Sequence, residues 1–193
     1  ARGRVRSRKP ESIVSEITQI ASNGIKEVVI TGIHIASYGK DFSMSKDPEL
    51  QNYKLIDLLE EINSINGIQR IRLGSIEPLL ITEEFVERLK KLEKICHHFH
   101  LSLQSGCDET LKRMNRRYTI EQFTEIVERL RVAYSNVNLT TDIIVGFPGE
   151  TEEEFNETYE YLKKIYKHQK PSIVLIDGNN LFRDKTDIDN LDS

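Results

Sequence analysis

The chain reads as an α/β protein built on parallel strands. Short β-branched runs alternate with longer segments whose apolar residues recur at helical spacing, in units of roughly thirty to forty residues, the pattern of strands joined by right-handed helical crossovers. Glycines and unusual polar residues gather where the strand runs end, the face on which such folds keep their ligand chemistry. Five strand candidates predict an incomplete barrel or an open sheet rather than a closed eight-fold barrel.

The elements follow in order. Ile13, Ile17, Ile20 and Ala21 form a helical stripe over Pro10 to Ser22, with proline in the first turn and Asn23-Gly24 closing it. Glu27 to Thr31 is a short strand that empties into Gly32-Ile33-His34-Ile35-Ala36-Ser37-Tyr38-Gly39, a loop with glycine at each end. Asp41 to Glu49 is polar, contains Pro48 and predicts an exposed loop. Tyr53 to Ile65 is helical, ended by Asn66-Gly67, and Gln69 to Gly74 is the next strand, leading to Ser75-Ile76-Glu77-Pro78. Thr82 with Glu83 and Glu84 opens a helix carrying Phe85, Val86, Leu89 and Leu92 inward, with Cys96 at a helix end. His98 to Leu103 is a strand ending at Gln104-Ser105-Gly106-Cys107-Asp108. Helices at Glu109 to Met114 and Thr119 to Tyr134, a strand at Val137 to Val145 and a helix at Thr151 to His168 complete the pattern.

The junction between that last strand and helix is the most telling stretch. Thr140 to Val145 runs into Gly146-Phe147-Pro148-Gly149 and then an acidic helix start. Gly146 and Gly149 permit positive φ and close backbone approach, while Pro148 fixes one dihedral. A small ligand fits against so bare a strand end, although an ordinary βα turn needs the same residues.

At 193 residues with 30% charged residues the chain is long enough to bury a core as one soluble domain. No apolar run is long enough to span a bilayer and no signal-peptide pattern is present, so the reading is cytoplasmic. Cys96 and Cys107 lack a CxxC spacing and predict reduced structural thiols. The net charge of -4 excludes a wholly basic surface, yet Arg2, Arg4, Arg6, Arg8 and Lys9 precede the first acid, and Lys112, Arg113, Arg116 and Arg117 form a second basic cluster. Either can meet phosphates, or be a solvated end and a solvated helix face.

Glu77 can hold a ligand amine or hydroxyl, or cap and pair within the fold. Gln104, Ser105 and Gly106 offer an amide, a hydroxyl and open backbone to a carboxylate or ribose, or form a simple turn. His98 and His100 share a strand face without an obvious third metal ligand, so no metal site is assigned. Neither a Ser/His/Asp arrangement nor a Walker-type phosphate loop is legible, and no catalytic residue is assigned.

Four separated motifs, in order, resemble the radical S-adenosylmethionine methylthiotransferases: Thr31 to Gly39; Arg70 to Pro78; Leu101 to Asp108 with Leu111 to Tyr118; and Asp142 to Thr151. The His34-bearing loop and the Gln104-Ser105-Gly106-Cys107 form most resemble the branch that modifies threonylcarbamoyl-adenosine beside the tRNA anticodon, more than the isopentenyladenosine or ribosomal-protein branches. The resemblance implies a partial (β/α) TIM-like barrel of the radical SAM type, truncated before its first strand, with residues 1–170 as a core fragment and 171–193 as a divergent last strand and acidic tail. It implies S-adenosylmethionine across the strand ends, held by Gly32, Glu77, Gln104, Ser105, Gly106, Asp142, Gly146, Pro148 and Gly149. RNA or substrate contacts fall to Arg2, Arg4, Arg116 and Arg117.

Intact family members act on the tRNA anticodon stem-loop with a sulfur donor and are expected to be monomers. Their CxxxCxxC loop, whose thiolates hold a [4Fe-4S] cluster, is not in this sequence, and two separated cysteines do not replace it. The isolated chain is therefore expected to be inactive. A non-catalytic remnant that binds S-adenosylmethionine or RNA, and an iron-independent α/β enzyme using Glu77 or Asp142, are the alternatives. Pro171 to Phe182 faintly resembles a nuclease strand bearing a metal-binding Asp, but reads better as a substitute barrel strand or a junction artefact.

Overall fold

The computed structural model describes residues 4–166 and the strand at 173–177. Its residues cluster into two compact units, one of residues 1–101 and 126–138, the other of 102–125 and 139–193.

The first unit opens with α1 (Pro10–Ser22), in which Pro10, Ile17 and Ala21 are buried and the Asn23 amide closes the last turn. β1 (Glu27–Ile30) and β2 (Arg70–Leu73) pair in parallel, Glu27 opposite Arg70 and Ile30 opposite Leu73. Because paired residues share a sheet face, Val28, Ile71 and Leu73 enter the core while Glu27, Arg70 and Arg72 lie together on the other face. There the Arg70 and Arg72 guanidiniums, at 2.5 and 3.2 Å, hold the Glu27 carboxyl below the usual carboxylate range.

α2 (Leu55–Ser64) buries Leu55, Ile56, Leu58, Leu59 and Ile62. α3 (Glu83–Leu89) starts on Thr82, whose hydroxyl accepts from the Phe85 amide at 3.1 Å. Arg88 ties the two helices together through Asp57 at 2.6 Å and both oxygens of Glu60 at 2.7 and 2.8 Å. β3 (His98–His100) follows β2 in parallel, through bridges Ile71–Ile95 and Ile76–Leu101, with Phe99 fully buried.

The second unit contains α4 (Asp108–Arg113) and α6 (Glu152–Ile165). Its β4 (Asn138–Val145) pairs in parallel with β5 (Ile173–Asp177), Thr141 opposite Ile173 and Val145 opposite Asp177. Gln104 bridges Ile143 in the same sense. The division passes through α5 (Ile120–Ala133) and the start of β4. The architecture is therefore mixed α/β with parallel strands, partial and without a closed barrel among the described residues.

Several boundaries shift from the sequence reading. The segment predicted as an exposed loop at Asp41 to Glu49 begins in a 3-10 helix, Lys40–Met44, with Phe42 buried. Phe42 meets Tyr38 and Tyr53 edge-on at 5.7 and 6.4 Å, and this aromatic cluster supplies local order that a polar composition hides. Cys96 does not sit at a helix end: α3 stops at Leu89, and the Cys96 amide donates to Ile71 O at 2.9 Å as the chain enters β3. The strand predicted at His98 to Leu103 is regular only to His100, continuing as isolated bridges. Arg2, His168 and the tail from Asp184 lie outside the described residues.

Candidate functional site

In the first unit the ends of β1 and β2 bring Gly32, His34 and Glu77 into one neighbourhood. β1 stops at Ile30, and the chain turns through exposed Gly32 into a 3-10 helix at Ile35–Ser37 anchored by buried Ile35. A Cβ on Gly32 would meet nothing within 4 Å, so this strand end is open on the protein's own account. Glu77 precedes the 3-10 helix Pro78–Leu80, whose proline is buried. Its Oε2 lies 2.6 Å from His34 Nε2, and His34 Nδ1 is bonded to the Ser37 hydroxyl. Glu77 was singled out in the sequence; its imidazole partner was not, because that contact depends on β1 pairing with β2.

The other glycine of this loop has a different task. Gly39 has φ 83° and a Cβ there would fall 2.0 Å from the Tyr53 carbonyl oxygen. The basic amino-terminal segment is tied to the same turn: the Ser7 amide donates to Asp41 Oδ2 at 2.8 Å, the Ser7 hydroxyl to Oδ1 at 2.5 Å, and the Gly39 amide to Ser7 Oγ at 2.9 Å. Tyr38 OH adds a bond to Arg8 O at 2.9 Å. Burial works against ionisation of Asp41, but the two Ser7 bonds outweigh it and hold the carboxyl below its ordinary range.

In the second unit Gln104 has φ 74°, in the left-handed region that a side chain usually avoids. It is held there by β4, its amide donating to Asp142 O and its carbonyl accepting from the Ile144 amide, both at 2.9 Å. Strain of this kind persists only where surrounding bonds over-determine the backbone, and here it sets the Gln104 backbone beside Asp142 and Ile143 of β4. Ser105 is fully buried, with its hydroxyl 3.1 Å from Thr158 Oγ1. The Gly106 amide donates to the same Thr158 oxygen at 3.0 Å. Ser105 and Gly106 thus dock α6, a contact that sequence reasoning missed because Thr158 looks like any polar helix residue.

The Gly146 to Gly149 turn emerges from β4 with both glycines at positive φ, 67° and 81°. The Glu150 carboxylate bends back to accept from the Gly146 and Phe147 amides, so the turn arrives with those donors already engaged. Gly146, Pro148 and Gly149 remain exposed. α6 then starts on Thr151, which exchanges bonds with Glu154 in a capping box. Arg113 pairs with Glu154 and holds its carboxyl below the ordinary range.

The two basic clusters separate on the same grounds. Arg8 is bonded to Glu16 and Ser12, Lys112 lies 3.6 Å from Glu109, and Arg113 is committed to Glu154. Arg4, Arg6, Arg116 and Arg117 are exposed, and no ion pair among the described residues engages them.

The residues present fit a nucleoside-type cofactor better than an iron–sulfur cluster. In the first unit the open Gly32 turn and the Glu77 carboxylate, and in the second the exposed Gly146 to Gly149 turn, are groups of the kind such a ligand uses. A three-thiolate site does not fit: the sequence holds two cysteines, and Cys107 is buried with its thiol pushed up by desolvation. No group of three His, Cys, Asp or Glu side chains among the described residues is arranged to hold a metal ion. No helix among them is long and apolar enough to cross a membrane.

Known proteins match most of this chain in sequence. The chain is 46% identical over 164 residues to a tRNA-2-methylthio-N(6)-dimethylallyladenosine synthase of Caldicellulosiruptor saccharolyticus, covering 85% of the chain and 33% of that protein. It is 44% identical over 165 residues to the threonylcarbamoyladenosine tRNA methylthiotransferase MtaB of Bacillus subtilis, covering 85% of the chain and 35% of that protein. It thus spans about a third of the length of these relatives. Among solved structures, the cobalamin-dependent S-adenosylmethionine radical enzyme OxsB shares the fold with a TM-score of 0.59 at 17% identity, over 80% of this chain and 22% of that one. The Elp3 of Methanocaldococcus infernus does so with a TM-score of 0.50 at 18% identity, over 80% and 38%. The family model for the radical SAM superfamily matches residues 1–162, and the chain belongs to that superfamily.

Proposed function

We propose that this chain is the S-adenosylmethionine-binding core of a tRNA methylthiotransferase that acts on C2 of N6-threonylcarbamoyladenosine 37. The observation that carries the reading is the chemistry at the strand ends of each unit: a carboxylate beside an open glycine turn in one, a bent glutamine beside an aspartate and a double-glycine turn in the other. S-adenosylmethionine has a zwitterionic end, a ribose and a flat base, and asks for those groups. Each unit carries groups of that kind: in the first, Glu77 suits an ammonium; in the second, Gln104 and Asp142 suit ribose hydroxyls and the backbone from Gly146 to Gly149 the face of a base, with Glu150 keeping that turn in shape. Gly32 keeps its strand end clear. Ser105 and Gly106 act from behind, by docking α6 against the residue that touches ligand.

When bound, the cofactor supplies the radical and methyl-transfer chemistry of the family; the residues of this chain bind and orient it. Arg116 and Arg117, with Arg2 and Arg4, receive the phosphates of the tRNA. A second reading, on dimethylallyladenosine, is favoured by the Caldicellulosiruptor relative. Chimeras separate the two. Residues 4–166 would replace the matching segment in each of the two named relatives, each expressed in cells lacking its own enzyme, and tRNA nucleosides would be read by mass spectrometry. Methylthiolated threonylcarbamoyladenosine from the MtaB chimera is the expected product. Product from the other chimera alone would move the assignment to that branch, and no product from either, with both chimeras folded, would overturn the reading.

A further inference from the structure

We propose that His34, fixed by Ser37, is a positioning residue for Glu77, turning that carboxylate so that its second oxygen receives the ammonium of an amino-acid-type ligand. The inference rests on the cofactor reading above and adds to it the residues that set its cation-binding end.

A carboxylate on a strand-end loop has rotamer freedom, and an ammonium held by a wandering carboxylate gains little. Glu77 is not left to wander. His34 Nε2 stands 2.6 Å from Oε2, within charge-assisted hydrogen-bond distance, and the far side of the ring meets the Ser37 hydroxyl. A carboxylate oxygen only accepts, so the ring proton that faces Glu77 sits on Nε2. The Ser37 amide donates to His34 O at 2.9 Å, so backbone and side chain of the 3-10 turn close on each other. With Ser37 O–H donating to Nδ1, the neutral ring carries its proton on Nε2 and donates it to Glu77, and each polar atom of the relay is used once. The ring occupies Oε2, so Oε1 is the oxygen offered to a ligand. Two residues before His34, a Cβ on Gly32 would meet nothing within 4 Å.

Serine, histidine and a carboxylate in series also describe a hydrolase, but the surroundings do not. Ser37 meets the ring within a single turn, and the amides of Ser37 itself and of Tyr38 after it are spent on His34 O and Ile35 O at 2.9 and 3.1 Å, so neither serves an oxyanion at that serine. The arrangement orients a carboxylate; it does not activate the serine.

The test uses this chain and three probes: S-adenosylmethionine, S-adenosylhomocysteine and 5′-methylthioadenosine, the last without an amino-acid end. By calorimetry, His34→Ala is expected to weaken the first two by roughly tenfold, the scale of one hydrogen bond to a charged group, and to leave methylthioadenosine unchanged. His34→Gln, which keeps an N–H donor, should recover part of the loss. Equal weakening of all three probes, or none, overturns the proposal. If none of the probes binds the unaltered chain, the cofactor reading fails by itself, and ring nitrogen chemical shifts still judge the positioning. The neutral ring of His34 should carry its proton on Nε2 and become a tautomer mixture in Ser37→Ala. A proton on Nδ1 in the unaltered chain overturns the proposal whether or not any ligand binds.

Discussion

Gly106 lies directly against Thr158: its amide donates to Thr158 Oγ1 at 3.0 Å, and a Cβ built on it would stand 2.8 Å from Thr158 Cα and 3.1 Å from Thr158 O. The close approach sets α6 against the end of the Gln104 strand segment. Gly106→Ala must push a helix backbone away, and we expect a loss of about 1–3 kcal/mol, the usual cost of overpacking. Urea unfolding of the single variant measures it; a loss within error would show that α6 is not docked through this contact. Thr158→Val, which keeps volume but not the hydroxyl, should also destabilise, since the buried Ser105 hydroxyl and the Gly106 amide lose their shared partner.

The two glycines of the loop after β1 should respond in opposite ways. Gly39→Ala combines a left-handed φ of 83° with a Cβ 2.0 Å from a backbone oxygen. The φ alone costs about 1–2 kcal/mol, and the clash adds to it. Gly32→Ala meets open space and should leave stability within about 0.5 kcal/mol. Under the proposed function it should instead weaken S-adenosylmethionine. Thermal melts with and without ligand distinguish the two effects, and unchanged binding in Gly32→Ala would remove that turn from the site.

Acid should loosen the clasp between Ser7 and Asp41. The folded carboxyl titrates below its ordinary value, so its stabilising contribution is present above the unfolded value, about 3.9, and is lost as pH falls through the folded one. Ser7→Ala removes the hydroxyl bond that helps to lower it. The amide of residue 7 survives this change, so part of the effect should remain. We expect the unaltered chain to lose more stability than the variant on acidification below about pH 4, with the difference absent near neutrality in slope, if not in level. Parallel pH-dependent unfolding curves across the acid range would rule the clasp out as their source.

RNA binding should divide the second basic cluster. Arg116 and Arg117 are exposed, whereas Arg113 is committed to Glu154 and Lys112 lies near Glu109. Arg116→Ala with Arg117→Ala should lower the salt slope of tRNA affinity by up to about two contacts' worth without loss of stability. Arg113→Ala should do the reverse, destabilising the α4–α6 contact with little change in slope. Fluorescence anisotropy across salt concentrations reads the first, and thermal melts the second. A slope unchanged in the folded double variant would confine RNA contact to the amino-terminal arginines or to sequence outside this chain.

The sequence alone determined the alternation of helices and parallel strands, because both periods are local: Ile17 and Ala21 lie one helical turn apart whatever the tertiary structure, and α1 runs over Pro10–Ser22 as its stripe predicts. It also determined the family, because the motifs are contiguous strings and 162 residues carry them. Tertiary structure decided what those strings do. His34 reaches Glu77 only because β1 and β2 pair in one register, and Ser105 and Gly106 take as their partner Thr158, 53 and 52 positions further along the chain. The 3-10 helix at Lys40–Met44 hides in a polar stretch because its order comes from rings meeting in space, not from periodicity. A side chain's neighbours along the chain are fixed by covalent geometry, whereas its bonding partners are fixed by strand register and helix docking, and the chemistry at the ends of these strands is made of the latter.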